Sequence, residues 1–283
     1  MYKEEVYKLV ELLQEAMLKE VMCYPSFGLV SPISSGSHND MDHFTFIEST
    51  VVLQKYFLRM ANLIFLYEDE KIIFNYGRKI GIEAEMEMFK KTGGVNTHKG
   101  IIFLLGITLM ASGIVIFKGG KFEDISNVIK NMTMGIVESD FRKIDSKQTL
   151  THGEKMYLEY GITGVRREVE TGLPLVFEYS LNTYENLKLN QNQRLVYTLL
   201  EIMSMCDDTT VLYRHDIKML DYVKKRSQEI LENTKGYFDQ EIFDNFTEEC
   251  IEKNISPGGA ADILATTVFL SLVKQEFFNC KNL

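Results

Sequence analysis

Proline and cysteine are both scarce in this 283-residue chain, with four of each. So few prolines leave long helices uninterrupted. The cysteines, Cys23, Cys206, Cys250 and Cys280, lie far apart with no CxxC spacing, so neither a zinc site nor a disulfide framework is indicated, and reduced thiols in the cytoplasm are expected. Positive charge is also short. Lys and Arg number 31 against 40 Asp and Glu, a net charge of -9, which excludes a nonspecific nucleic-acid binder and means that any anionic ligand must be met by a local cluster. No Ser, Pro or Gly tract marks a linker, and no internal repeat or low-complexity stretch is present. Residues 1–283 therefore read as a single domain, with 45% hydrophobic residues to build a large core. The N-terminus, MYKEEVYKLVELLQEAMLKEVM, is charged and helical in period and lacks the apolar centre of an export signal.

What the sequence does contain is helical periodicity, in residues 2–22, 38–66, 69–91, 97–117, 121–138, 150–170, 192–205, 217–232, 239–253 and 257–278. LPLVFEYSL (173–181) could be a strand, but no hairpin pattern or βαβ rhythm accompanies it. The fold class that follows is all-α, a multi-helix domain. From Gly100 to Phe117 no residue is charged, and the length approaches the roughly 18 apolar residues of a membrane span. Gly100, Gly106, Gly113, Thr108 and Ser112 within it, and the polar turn before it, favour a buried central helix over a membrane helix. Such apolar helices could pack within one chain or across a homodimer.

Polar residues at core-facing positions nominate a site. In SSGSHNDMDHFTF, Ser37 is a plausible N-cap, with Asp40 three residues on as its capping-box carboxylate. Asp42 heads an apolar stripe through Phe46, Ser49, Leu53, Phe57 and Met60; a carboxylate there would need a metal, an arginine or a ligand hydroxyl as partner. His38 lies one turn before it. Gly77, Gly81 and Glu85 form an i, i+4 row, whereas Glu83 and Glu87 form a solvated one. TGGVNTHKG (92–100) then separates two dissimilar helices. Asn96 or Thr97 can cap the apolar helix, Lys99 and His98 add donors at its positive end, and Gly93 and Gly94 permit positive φ or close approach of a ligand. This pattern describes an anion seat beside carboxylates, suited to a nucleotide with its Mg²⁺. It is not a Walker loop, because GK[ST] and a preceding strand are missing.

Five ordered blocks, SSGSHNDMDHFTF, GIEAEMEMFKKTGGVNTHKGIIF, GITGVRREVETGLP, DDTTVLYR and ISPGGAADILA, resemble the signature blocks of the triphosphoribosyl-dephospho-CoA synthase family over about Val21 to Leu272. The resemblance implies transfer of the triphosphoribosyl unit of ATP to the 2'-hydroxyl of 3'-dephospho-CoA with release of adenine. The product would be a prosthetic-group precursor for the acyl carrier subunit of citrate lyase or malonate decarboxylase. That chemistry requires a base for the hydroxyl, stabilisation of an oxocarbenium-like carbon, a proton for the departing adenine and neutralisation of phosphate charge.

Under this resemblance Asp42 is the first choice for base or oxocarbenium stabiliser, with Glu85 and His38 beside it, and Asp40 and Glu85 are the candidates for Mg²⁺. Asn96, Thr97, His98 and Lys99 would grip phosphate, with Gly93 and Gly94 lending room. Arg166 and Arg214 are bidentate phosphate candidates, and Asp208 joins the substrate contacts. Ser256 caps a helix opened by Pro257, Gly258 and Gly259 leave its first turn bare, and Asp262 points inward for magnesium, ribose or a structural hydrogen bond. Ser26, Phe27, Arg167, Thr210, His215 and Asp216 depart from the family pattern. Two other readings stand beside the transferase: a magnesium-dependent nucleotide hydrolase, and a helical nucleotide-binding homologue without turnover. No nucleic acid or membrane partner is expected.

Overall fold

A computed structural model describes residues 4–142, 144 and 150–279; residues 2 and 3 of the first predicted helix, and Cys280, lie outside that set. The chain runs through α1 (Glu4–Val21), α2 (His43–Asn62), α3 (Glu70–Lys91), α4 (Lys99–Lys118), α5 (Asp124–Thr133), α6 (Ile136–Phe141) and α7 (His152–Tyr160). It continues through α8 (Val165–Glu170), α9 (Leu181–Asn186), α10 (Gln191–Met205), α11 (Thr209–Arg214), α12 (Ile217–Thr234), α13 (Gln240–Glu252) and α14 (Gly258–Val273). Among the described residues no strand forms; the nearest approach is an isolated bridge between Ser31 and Ser34. The all-α expectation holds.

Two predicted helices are broken, and glycine explains both. Gly135, at φ 77°, separates α5 from α6, and Gly161, at φ 71°, ends α7 before α8 can begin. A left-handed residue cannot continue a right-handed helix. The strand alternative for 173–181 is corrected: Leu175–Ser180 makes a wide π turn that runs into α9, because Leu175, Val176 and Ser180 are buried against α10 and α14. The helix predicted from 38 begins only at His43. Residues 38–42 are loop.

Helix α4 organises the core. It is apolar on every face, with Leu104, Leu105, Leu109 and Ala111 fully buried, and it packs against α1, α2, α3, α5 and α14. Each fully buried large aliphatic side chain contributes about 1.5–3 kcal/mol, so a helix apolar all round is stable only when surrounded. It is the one helix among the described residues long and apolar enough to cross a membrane, yet 78% of its apolar 18-residue stretch is buried inside the fold. Its partner α14 is equally apolar. Small residues let the helices meet: a side chain at Gly77 would collide with Met110, and one at Gly106 with Met60. Both helices begin at the same end of the molecule, where Asp262 on α14 lies against Gly100 on α4.

Three thiols, Cys23, Cys206 and Cys250, are free and sealed in this core, and burial pushes their ionisation upward. Near the end of α1, Glu20 is 5% exposed, and its Oε2 has no partner among the described residues. Burial raises its pKa to about 8. In the unfolded chain this carboxyl loses its proton near 4.5, so the folded state binds more protons between those values and loses stability as pH rises through them. Glu20→Gln should therefore flatten the fall in Tm between pH 5 and pH 9 and stabilise the protein at the alkaline end by a few kcal/mol, at roughly 1.4 kcal/mol per pKa unit. Equal slopes for both proteins in thermal melts across that range would contradict this account.

Candidate active site

Where α3 and α4 run side by side, a cavity of about 620 Å³ opens between them, closed by the α7–α8 segment and by the first turns of α11 and α14. Volumes of this order hold small ligands and cofactors. Gly77, Gly81 and Glu85 line it from α3, as an i, i+4 row should. Asn96, Lys99 and Gly100 line it from the turn and the tip of α4, and Gly259 and Asp262 from α14.

The turn NTHK divides its side chains between two faces. Asn96 Oδ1 accepts the Lys99 N–H at 3.1 Å, but the N-cap position of α4 is His98, not Asn96 or Thr97 as the sequence suggested. Lys99 Nζ lies 3.0 Å from Glu85 Oε2 across the cavity. Thr97 and His98 turn the other way, which corrects their assignment to phosphate. Thr97 donates to Ser49 Oγ at 2.8 Å, and Ser49 lies 2.6 Å from His98 Nδ1. Ser49 thus bridges Thr97 and the ring, whose other nitrogen, Nε2, is buried with no partner among the described residues. His98 is fully buried and its pKa falls to about 3 through burial, so it is a neutral tie between the turn and α2. Gly93 and Gly94, at φ 67° and 96°, terminate α3 and do not line the cavity.

Asp262 is the cavity's distinctive group. It is half-buried and lines the cavity, and no side-chain hydrogen bond reaches its carboxyl among the described residues. It sits where a side chain at position 100 would otherwise stand, so glycine is required there. Burial, with the nearby Glu20 and Asp208 carboxylates, pushes its pKa well above the ordinary carboxylate range. Beside it the amides of Gly100 and Ile101 meet no backbone acceptor among the described residues, a helix tip with its positive end open.

Several nominated residues stand elsewhere. Asp42 is exposed, not buried: it is the N-cap of α2, its Oδ1 accepting the Thr45 N–H at 2.9 Å, and those Thr45 hydrogen bonds lower its pKa. Ser37 therefore does not cap α2; its hydroxyl donates to Ile255 O at 2.6 Å. His38 Nδ1 accepts from Arg214 at 3.2 Å, so its Nε2 carries the proton toward Ser256 Oγ at 2.9 Å. A ring held in that tautomer donates to the hydroxyl and is no base for it. Arg214 also donates to Ser37 O, and neither it, His38, Ser256 nor Gly258 lines the cavity. Ser256 does not cap α14, whose N-cap position is Pro257.

Asp208 is likewise structural. Fully enclosed, it accepts from the Thr210 and Val211 amides at 2.8 and 3.1 Å and from Ala260 N at 2.9 Å, so one carboxylate fastens the starts of α11 and α14 together. Burial raises its pKa, and these amides oppose the rise. Asp40 is exposed, 3.7 Å from His38, and shares no cavity with Glu85, so the magnesium pair inferred from sequence does not assemble. No group of three or more His, Cys, Asp or Glu side chains among the described residues could hold a metal ion.

Residues 7–280 match the family described as ATP:dephospho-CoA triphosphoribosyl transferase. The chain belongs to that family. It is 32% identical to a "Probable 2-(5''-triphosphoribosyl)-3'-dephosphocoenzyme-A synthase" of Streptococcus mutans, covering 96% of this chain and 98% of the relative. Relatives of the same printed name from Lactiplantibacillus plantarum and Malonomonas rubra are 34% and 35% identical, covering 91% and 97% of this chain and 94% and 90% of their own. No solved structure matches.

Against the family pattern, the departures fall mostly outside the cavity. Ser26 and Phe27 are core residues, Arg167 pairs with Glu170 on the surface, His215 reaches Asn254 O, and Asp216 caps α12. Of the six, only Thr210 lines it. Sequence reasoning missed Arg78, which enters from α3 one residue after Gly77. Its position beside that glycine row was the available signal.

The two aspartates at helix starts should separate cleanly in urea denaturation. Asp42→Ala removes an exposed cap and lowers stability slightly, whereas Asp208→Ala strands three amides and costs roughly 3 kcal/mol or more, at about 1–3 kcal/mol per unsatisfied buried donor. Similar midpoints for the two variants would overturn these placements.

Proposed function

We propose that this chain transfers the triphosphoribosyl group of ATP to the 2'-hydroxyl of 3'-dephospho-CoA, releasing adenine. The observation that carries the reading is the pair of unlike carboxyl groups in one cavity: Asp262, with no side-chain hydrogen bond among the described residues and its pKa pushed upward by burial, and Glu85, paired with Lys99. Two carboxyls in different environments are what a displacement at an anomeric carbon uses, one to give a proton and one to take it.

In this mechanism the bond between the 2'-oxygen and the anomeric carbon forms as the bond from that carbon to adenine breaks. Asp262 gives its proton to the adenine ring, which leaves with the bonding electron pair. Lys99 swings from Glu85 to the nearest phosphate, and the freed Glu85 carboxylate takes the proton of the attacking hydroxyl. The open amides at the tip of α4 add favourable potential for the phosphate. Mg²⁺ arriving on the triphosphate would meet two carboxyls in the cavity lining, Glu85, held by Lys99, and Asp262, so the side chains do not build a magnesium site of their own, and no step depends on one. A homologue that binds without turnover would draw on Ser26, Thr210 and Asp216; two of these lie away from the cavity. The product would feed prosthetic-group synthesis for an acyl carrier subunit of citrate lyase or malonate decarboxylase, in the cytoplasm, where the buried thiols stay reduced.

Incubation with ATP, with and without dephospho-CoA, followed by chromatography should show free adenine only when both are present. Phosphate or ADP without adenine would reject the transfer. Asp262→Asn and Glu85→Gln should each lower turnover by about 10²–10⁴-fold. An acid must keep its proton, so kcat/KM should fall as pH rises through the elevated pKa of Asp262. Glu20→Gln removes a neighbouring negative charge, lowers that pKa and moves the alkaline limb to lower pH.

A further inference from the structure

We infer that Arg78 and Arg166, held by the shared carboxylate of Asp140, form a clamp for a polyphosphate chain at the far end of the cavity from Lys99. This rests on the triphosphoribosyl reading for its choice of ligand, while the anion-binding character follows from geometry. Arg78, from the middle of α3, donates both terminal nitrogens to Asp140 at 2.8 and 3.0 Å. Arg166, at the start of α8, donates Nε to the same carboxylate at 2.8 Å, leaving its two terminal nitrogens outside that contact. Each guanidinium lies over a phenyl ring, Arg78 over Phe74 at 5.6 Å and Arg166 over Phe141 at 5.2 Å. Both line the cavity.

Charge bookkeeping supports a ligand over a mere staple. Asp140 is nearly enclosed; burial opposes its charge, but hydrogen bonds from the two arginines outweigh that and hold its carboxyl below the usual range. Among the described residues Asp140 is the one carboxylate that pairs with these two guanidiniums, so the trio carries a formal surplus of one positive charge beside the cavity, in a chain whose net charge is -9. Arg167, the next residue, makes the contrast: it points outward and has its own partner in Glu170. Arginine held in plane suits the paired oxygens of phosphate. Along α3, Arg78 lies seven residues from Glu85, about 10 Å at the helical rise, a length on the scale of a sugar with its phosphate chain. With Lys99 beside Glu85 and the arginines at the other end, the chain is held at both extremities.

Inorganic tripolyphosphate is the probe. Titration calorimetry on the intact protein should show it binding, with orthophosphate much weaker. Arg78→Gln and Arg166→Gln should each weaken tripolyphosphate at least about tenfold, the scale of one lost charge-assisted hydrogen bond. Arg78→Lys and Arg166→Lys keep a charge against Asp140, and so the fold, yet lose the fork and should also weaken it. Arg167→Gln should change nothing. In the transfer assay a raised KM for ATP assigns the clamp to the triphosphate, and a raised KM for dephospho-CoA assigns it to the diphosphate of that substrate, with kcat moving less in either case. Folded variants that bind tripolyphosphate as well as the unsubstituted protein, or no binding by the latter, would overturn the clamp. Adenine release with both KM values unmoved sinks the clamp and leaves the transfer intact; tripolyphosphate held by the arginines with no adenine from any mixture does the reverse.

Discussion

A helix with no polar face must be covered on all sides, and α4 imposes that requirement on the whole molecule. Helices α1, α2, α3, α5 and α14 surround it because nothing less would hide it. The same constraint carries its N-terminal end to the middle of the structure. Gly100, whose amide meets no backbone acceptor among the described residues, is thereby brought to the cavity wall at the positive end of the helix.

Close packing explains why the cavity lies where it does. Glycines on α3 and α4 bring those helices together around Met60 and Met110, and the same side-chain-free positions leave space on the groove side. Gly100 does both: it permits α14 to approach and gives the Asp262 carboxyl its place. Burial at that spot disfavours ionisation of the acidic group, and the Glu20 and Asp208 carboxylates behind it add to the effect.

Much of this was legible in sequence because it is local. The uncharged run from Gly100, the i, i+4 row ending at Glu85, and the inward aim of Asp262 one turn into α14 all follow from helical spacing. Asp42 failed because periodicity was extended through residues that precede the helix: spacing says which residues share a face, not where the first turn begins. His98 looked like an exposed donor at a helix tip, and only Ser49, 49 residues earlier, reveals it as an internal tie. Arg78 on α3 and Asp140 on α6, 62 residues apart, meet only in the folded chain, and spacing within one helix carries no trace of that.

The enclosed thiols give the protein built-in reporters. Cys23 lies just beyond the end of α1, Cys206 just before α11, and Cys250 within α13, each shielded from solvent and disfavoured as thiolate. An alkylating reagent can reach any of them only when its surroundings part, so the rates of modification at these three positions would gauge how often separate regions of the native fold breathe.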